Sequence, residues 1–172
     1  MTPYFDALRD AMTMLAEDPR AVFLGQAVVS PGTAMFRTLE HLPEDRRIEL
    51  PVFENTQMGM STGLALAGWL PISIYPRINF LLEATSQLVQ HTDKLPLFSD
   101  FRPRVIVRTA VATDRPLDPG CQHVGDYSYE LEKMLSTVKV VRLFNADLIV
   151  GDYRAAMEHD GSTILVEYSA NY

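Results

Sequence analysis

The segment ELPVFENTQMGMSTGLALAGWLPI, residues 49–72, contains the transition from which the architecture of this chain is inferred. A short apolar run ending in Val52 and Phe53 hands over to a stretch rich in Gly and Ala, and one carboxylate, Glu54, stands at the junction. Gly59, Gly63, Ala65, Ala67 and Gly68 run through the predicted helix, although glycine weakens a helix interior. Such a helix is tolerated where something approaches it closely: its own sheet, a second subunit or a cofactor. In open parallel sheets ligands bind outside the carboxyl ends of strands, which is where Glu54 falls.

Working outward, residues 21–29, 48–52, 71–75, 104–110, 139–144 and 162–168 are short and rich in β-branched or apolar side chains. Helical patterns separate them. Residues 3–18 place Phe5, Leu8, Met12 and Leu15 on one stripe, with Asp18-Pro19 as the stop. Residues 79–95 align Phe80, Ala84, Leu88 and His91, residues 127–136 align Tyr127, Leu131 and Leu135, and Asn145 is the N-cap candidate for a helix over 146–158. Strands alternating with helices predict an α/β fold, a single three-layer domain with a mostly parallel six-stranded sheet and helices on both faces. The loop from Ala112 to Gly120 is the least regular piece, and no internal repeat or linker is visible.

A chain of 172 residues with 47% hydrophobic content can bury one substantial core. The net charge of −7 and scattered basic residues argue against nucleic acid as a partner. Arg102, Arg104 and Arg108 form the only basic cluster and are expected in a solvated loop or a salt-bridged strand end. No apolar run approaches the roughly 20 residues that cross a bilayer, and the first residues lack the plan of a signal peptide, so the expectation is a cytoplasmic protein with no membrane contact. The single cysteine, Cys121, has no partner for an internal disulfide and no neighbours for a zinc site, so no metal ligand is assigned to this chain.

Taken in order, the segments resemble the pyrimidine-binding domain of transketolase-superfamily thiamine-diphosphate enzymes. The likeness is nearest to the beta subunit of 2-oxoacid dehydrogenases and to the matching domain of 1-deoxyxylulose-5-phosphate synthase. It runs through the strand ending Phe23-Leu-Gly-Gln26, then PVFENTQMGMSTGLALAG, PISIYPRINFLLEATSQLVQHTDKLP, RVIVRTA, HVGDYSYELEKML and VKVVRLFNADLIVGDYRAAMEHDGSTILVEY. The resemblance implies a catalytic role for Glu54. In the family this acid hydrogen-bonds ring nitrogen N1′ of the aminopyrimidine and favours its imino tautomer, so that the exocyclic nitrogen can take the proton from carbon 2 of the thiazolium. It implies that Phe80 stacks on the aminopyrimidine, that Met58 and Gln26 contact the cofactor, and that His123 lies near the reacting carbon or the substrate. Gln26 stands where relatives often carry an acid, which leaves it an amide's hydrogen bonds but no charge. Arg77 is a candidate for a substrate carboxylate or phosphate, or for a surface salt bridge. His91 and Lys94 are assigned to packing and subunit contacts, and His41 and His159 to the surface.

The family's diphosphate-binding half holds Mg²⁺ with a Gly-Asp-Gly run. Gly125-Asp-Tyr and Gly151-Asp-Tyr lack the second glycine, and neither the diphosphate-binding domain nor the C-terminal transketolase domain is expected in residues 1–172. The resemblance thus implies a split enzyme. This chain would be the pyrimidine-binding subunit, and a separate diphosphate-binding subunit would hold Mg²⁺ and complete an α2β2 heterotetramer. Its contact surface is expected on the small-residue helix and around Trp69, unless Trp69 is a core plug. The implied substrate is a small 2-oxo acid, decarboxylated with acyl transfer, or a ketose in transketolase-like ketol transfer. Two other classes remain: a non-catalytic scaffolding or regulatory subunit, and a small-ligand binding module with only a general α/β likeness.

Overall fold

A computed structural model describes residues 2–113 and 118–172. Residues 114–117 of the irregular loop over 112–120 lie outside the described residues. The strands are β1 (Ala21–Gly25), β2 (Arg47–Glu49), β3 (Leu70–Tyr75), β4 (Ile106–Val111), β5 (Lys139–Arg142) and β6 (Thr163–Tyr168). They form one sheet in the order β2-β1-β3-β4-β6-β5, and every pairing is parallel. β1, β3, β4 and β6 are buried throughout or nearly so, which explains their continuous rather than alternating apolar sequences.

The helices are α1 (Pro3–Ala16), α2 (Ala34–Arg37), α3 (Glu54–Leu66), α4 (Ile78–Leu81), α5 (Thr85–Gln87), α6 (Leu95–Phe98), α7 (Ser128–Met134) and α8 (Ile149–Glu158). Thr2 caps α1 by accepting from the Phe5 N–H, and Pro3 opens the helix where its missing N–H costs nothing. Asn145 caps a 3₁₀ turn (Ala146–Leu148) that leads into α8. One core joins α1, the segment after β1 and α8 to one face of the sheet through Leu8, Met12, Leu39, Ile72, Ile149 and Tyr153. The other joins α3, α4 and α7 to the opposite face through Met58, Tyr75, Ile78, Leu88, Val107 and Leu131. The chain therefore leaves β1 onto one face and β3 onto the other. That divergence opens a crevice at their carboxyl ends.

Two expectations are corrected. Arg108 is neither in a loop nor at a strand end: it is fully buried on β4, ion-paired with Glu167 of β6. Its Nη1 donates to Thr38 Oγ1 at 2.8 Å, and Tyr153 Oη donates to Glu167 Oε1 at 3.0 Å, so the pair is hydrogen-bonded as a buried pair must be. The single helix expected over 79–95 is instead α4, a 3₁₀ turn (Leu82–Ala84), α5 and a π-turn (Leu88–Thr92). The π-turn inserts one residue and rotates the chain beyond it by about 100°. Thr92 and Asp93 consequently turn inward, and His91 is exposed.

Asp93 accepts the backbone N–H of Ser136, Thr137 and Val138 at 2.9, 2.7 and 3.0 Å and pairs with Lys94 at 2.8 Å, which anchors the chain entering β5. Burial pushes its carboxyl up, but Lys94 and the three N–H donors outweigh that and lower it to about 2. Asp93→Asn is expected to cost about 2 kcal/mol at pH 7 in urea unfolding. The carboxylate's contribution is complete above its unfolded pKa of about 4 and is lost as pH falls through about 2. The stability gap between wild type and variant should therefore close over that interval; a gap that stays constant would rule the ion out.

Candidate functional site at the carboxyl ends of β1 and β3

Gly25 ends β1 with φ +139°, a region that favours glycine, and a Cβ there would lie 2.2 Å from the Ile74 carbonyl oxygen and 2.7 Å from Gln57 Nε2. The close approach brings the next residue to the start of α3. Gln26 Nε2 donates to Glu54 Oε1 at 2.9 Å. Ala27 follows at φ +57°, an uncommon conformation for a residue with a side chain.

Glu54 is the first residue of α3 and is buried. Its backbone carbonyl accepts the Tyr75 hydroxyl at 3.3 Å, fastening the start of α3 to the end of β3. Burial of Tyr75 pushes its ionisation well up, so the hydroxyl remains a donor. One carboxylate oxygen of Glu54 is thus committed to Gln26. Among the described residues the other, Oε2, has no hydrogen-bond partner.

A cleft of about 460 Å³ opens here, lined by Gln26, Ala27, Arg77, Phe80, Ala110 and Tyr172 among others. The Arg77 guanidinium lies 5.8 Å from the Phe80 ring centroid, and among the described residues Arg77 forms no ion pair, so the expected surface salt bridge is not made there. His123 meets Phe80 edge to face at 5.5 Å. Among the described residues its Nδ1 is buried without a hydrogen-bond partner, as is Asn79 Oδ1, while Asn79 Nδ2 donates to the Gln122 carbonyl at 2.9 Å and ties that turn to α4. The arrangement offers an aromatic face, one free carboxylate oxygen, an unpartnered imidazole nitrogen and one unpaired guanidinium. Those groups match an aminopyrimidine ring and an anionic substrate in kind.

Of the residues singled out in the sequence, Gln26, Arg77 and Phe80 line the cleft, Glu54 is joined to it through Gln26, and His123 through Phe80. Met58 is the correction. It is fully buried among Tyr75, Ile78 and Leu88, because it lies one helical turn, about 5.4 Å, beyond Glu54 on the face turned to the sheet. Trp69 is 47% exposed, beside Ile48 and Leu64, and is no core plug. Glu49 went unmarked in the sequence, although it binds the turn after β1. An acid at the second position of the strand-like run 48–52 carries no sign of this in its local pattern. Among the described residues no cluster of three or more His, Cys, Asp or Glu side chains is placed to hold a metal, and no helix is long and apolar enough to cross a membrane.

A six-stranded parallel sheet with its cleft at this divergence is the fold expected of the transketolase superfamily. The comparisons agree. The beta subunit of the pyruvate dehydrogenase E1 component from Chaetosphaeridium globosum is 27% identical over 177 residues, covering 98% of this chain and 52% of the relative. The chloroplastic beta-3 subunit from Oryza sativa is 27% identical over 180 residues, covering 98% and 44%. The 3-methyl-2-oxobutanoate dehydrogenase subunit beta of Mycobacterium tuberculosis is 35% identical over 92 residues, covering 51% and 25%. A solved structure described as split gene transketolase, inactive beta4 tetramer, aligns with a TM-score of 0.73 at 19% identity, covering 96% of this chain and 51% of that one. No family model matches. The chain spans about half the length of the full-length curated relatives it matches. It resembles the pyrimidine-binding domain of transketolase-superfamily enzymes and, within them, the 2-oxoacid dehydrogenase beta subunits.

Gly25→Ala is expected to destabilise the protein by more than about 1 kcal/mol in thermal or urea unfolding, because the added carbon meets a backbone carbonyl at a φ that side chains avoid. Gln26→Ala, which removes only a partly buried amide, is expected to stay within about 1 kcal/mol of wild type. Equal stability of Gly25→Ala and wild type would show that β1 does not end as described.

Proposed function

We propose that this chain is the pyrimidine-binding subunit of a split thiamine-diphosphate-dependent enzyme that cleaves or forms carbon-carbon bonds, with 2-oxo acid decarboxylation and acyl transfer as its reaction. The observation that carries the reading is the Glu54 carboxylate, buried at a helix start, held at one oxygen by Gln26 and free at the other. In this reading Oε2 meets ring nitrogen N1′ of the aminopyrimidine and holds the shared proton there. Phe80 stacks on the ring, Gln26 keeps Glu54 in place, His123 donates or accepts a proton beside the substrate, and Arg77 binds the substrate carboxylate. When bound, the cofactor would supply the carbon nucleophile and, in its cationic ring, the sink for the electrons of the cleaved bond.

A separate diphosphate-binding subunit holds Mg²⁺ and completes the site in an α2β2 heterotetramer. The outer face of α3 supports this part of the reading. Its inner residues Gln57, Ser61 and Thr62 are polar and hydrogen-bonded, whereas Met60 and Leu66 are 40% and 56% exposed, with Val52 at 77% just before the helix. Exposed apolar surface beside small residues is what a close-packed subunit interface covers. The structural neighbour is itself a beta4 tetramer, described as inactive, and by analogy this chain pairs with itself when its partner is missing. We place the enzyme in the cytoplasm, where a chain with one cysteine needs no disulfide. Ketol transfer by the same constellation is the second reading, favoured by the fold of that neighbour.

Calorimetry with thiamine diphosphate and Mg²⁺ is expected to give binding only when a diphosphate-binding chain is present. In that mixture Glu54→Gln is expected to lower turnover of a 2-oxo acid by roughly 10²-fold or more. Full turnover by the variant would reassign the chain as a scaffold. Consumption of ketoses in place of 2-oxo acids would select ketol transfer, and no cofactor binding in any mixture would end the reading.

A further inference from the structure

Glu49 is the last residue of β2 and lies directly beside Gly25 in the sheet register. Its carboxylate accepts four successive backbone N–H groups of the turn that follows β1. Oε1 takes Ala27 at 2.9 Å, and Oε2 takes Val28, Val29 and Ser30 at 2.8, 2.6 and 3.1 Å. Successive N–H groups converging on one point form an anion-binding concavity, and here an internal carboxylate fills it. The turn is held from both ends, since Gly25 has no space for a side chain against Ile74, and Ala27 keeps a positive φ. Gln26 is the one residue between those two fixed points. Its backbone cannot swing, so its amide is delivered to Glu54 Oε1.

We propose that Glu49 is a positioning residue for the candidate site, clamping the turn over residues 27–30 so that Gln26 holds the Glu54 carboxylate in one orientation. This rests on the reading of Glu54 as the group that meets the cofactor. Burial raises the Glu49 carboxyl, but the four backbone donors outweigh it and leave it below the usual range, in keeping with a carboxylate that stays charged in its cradle.

The test uses the full chain, deuterated and ¹⁵N-labelled, comparing wild type with Glu49→Gln and Glu49→Ala. Amide exchange at residues 27–30 is expected to quicken roughly tenfold or more in both variants. The side-chain NH₂ signals of Gln26 are expected to shift, while the amides of β4 and β6 keep their positions and report an intact sheet. In the mixture that binds thiamine diphosphate, Glu49→Gln and Gln26→Ala should weaken binding by similar factors and the double variant no further, as expected for residues acting in series. Unmoved Gln26 signals beside faster exchange at 27–30 would reduce the clamp to a local brace and overturn the proposal. So would unchanged exchange, additive losses, or the failure of both variants to fold, which would make Glu49 a determinant of the whole sheet. The exchange and Gln26 readouts need no cofactor. If no mixture binds thiamine diphosphate while both readouts respond, the functional reading fails and the clamp stands.

Discussion

The approach of β1 to β3 at Gly25 governs the geometry of the cleft. Any side chain there would collide with the Ile74 carbonyl, so only glycine lets β1 stay paired with β3 to its last residue, Gly25 beside Ile74. Two groups then share that carbonyl, the Gln26 N–H at 3.4 Å and Gln57 Nε2 at 2.9 Å. The first belongs to the turn after β1 and the second to α3. A single backbone oxygen therefore registers strand, turn and helix against one another, and Gln26 and Glu54 meet because both ends of their hydrogen bond are fixed to it.

α3 reverses the usual arrangement of an amphipathic helix. Its sheet-facing side carries Gln57, Ser61 and Thr62, which bond to Ser73, the Ile74 carbonyl and Thr92. Each satisfied hydrogen bond contributes about 1 kcal/mol, and each would cost more if broken and left buried. This seam is weaker per area than an apolar one but more exacting about register. It fixes how far α3 slides along the sheet, and hence where Glu54 sits, while Met58 packs inward beside it and Met60 and Leu66 go to the outer face.

β1, β3, β4 and β6 were legible because buried parallel strands are continuous apolar runs, while the edge strands β2 and β5 show only short apolar or β-branched stretches. All six lie within a few residues of the expected bounds except 21–29, of which residues 27–29 belong to the turn that Glu49 binds. Val28 and Val29 look like strand residues, and no local pattern separates them from the strand before. The place of Glu54 beyond a strand's carboxyl end could be read from the strand-to-helix junction, whereas the divergence between β1 and β3 could not, because it is set by strand order. What escaped depended on partners distant in sequence. Arg108 looks exposed until Glu167, 59 residues away, is known to neutralise it. The π-turn at Leu88–Thr92 is invisible to a periodicity of 3.6, because inserting one residue moves the buried position from His91 to Thr92 without altering composition. Met58 shares a helix face with Glu54, but one turn further along α3 that face is covered by Tyr75, Ile78 and Leu88, so Met58 packs in the core.

Two carboxylates, the half-buried Glu49 and the fully buried Glu167, brace the walls of the cleft. Glu49 fixes the wall that carries Gln26 and Ala27, and Glu167 fixes the opposite one, because its carboxylate accepts the Tyr172 hydroxyl while paired with Arg108. Removing one member of a buried pair typically costs 3–5 kcal/mol, since the other is left uncompensated. That is a large share of the stability of a domain this size. An apolar replacement could recover the energy but not the directionality, because an apolar side chain accepts no N–H or O–H group. The same interactions therefore hold the fold and the site, and substitutions that loosen the cleft walls are also substitutions that threaten the sheet.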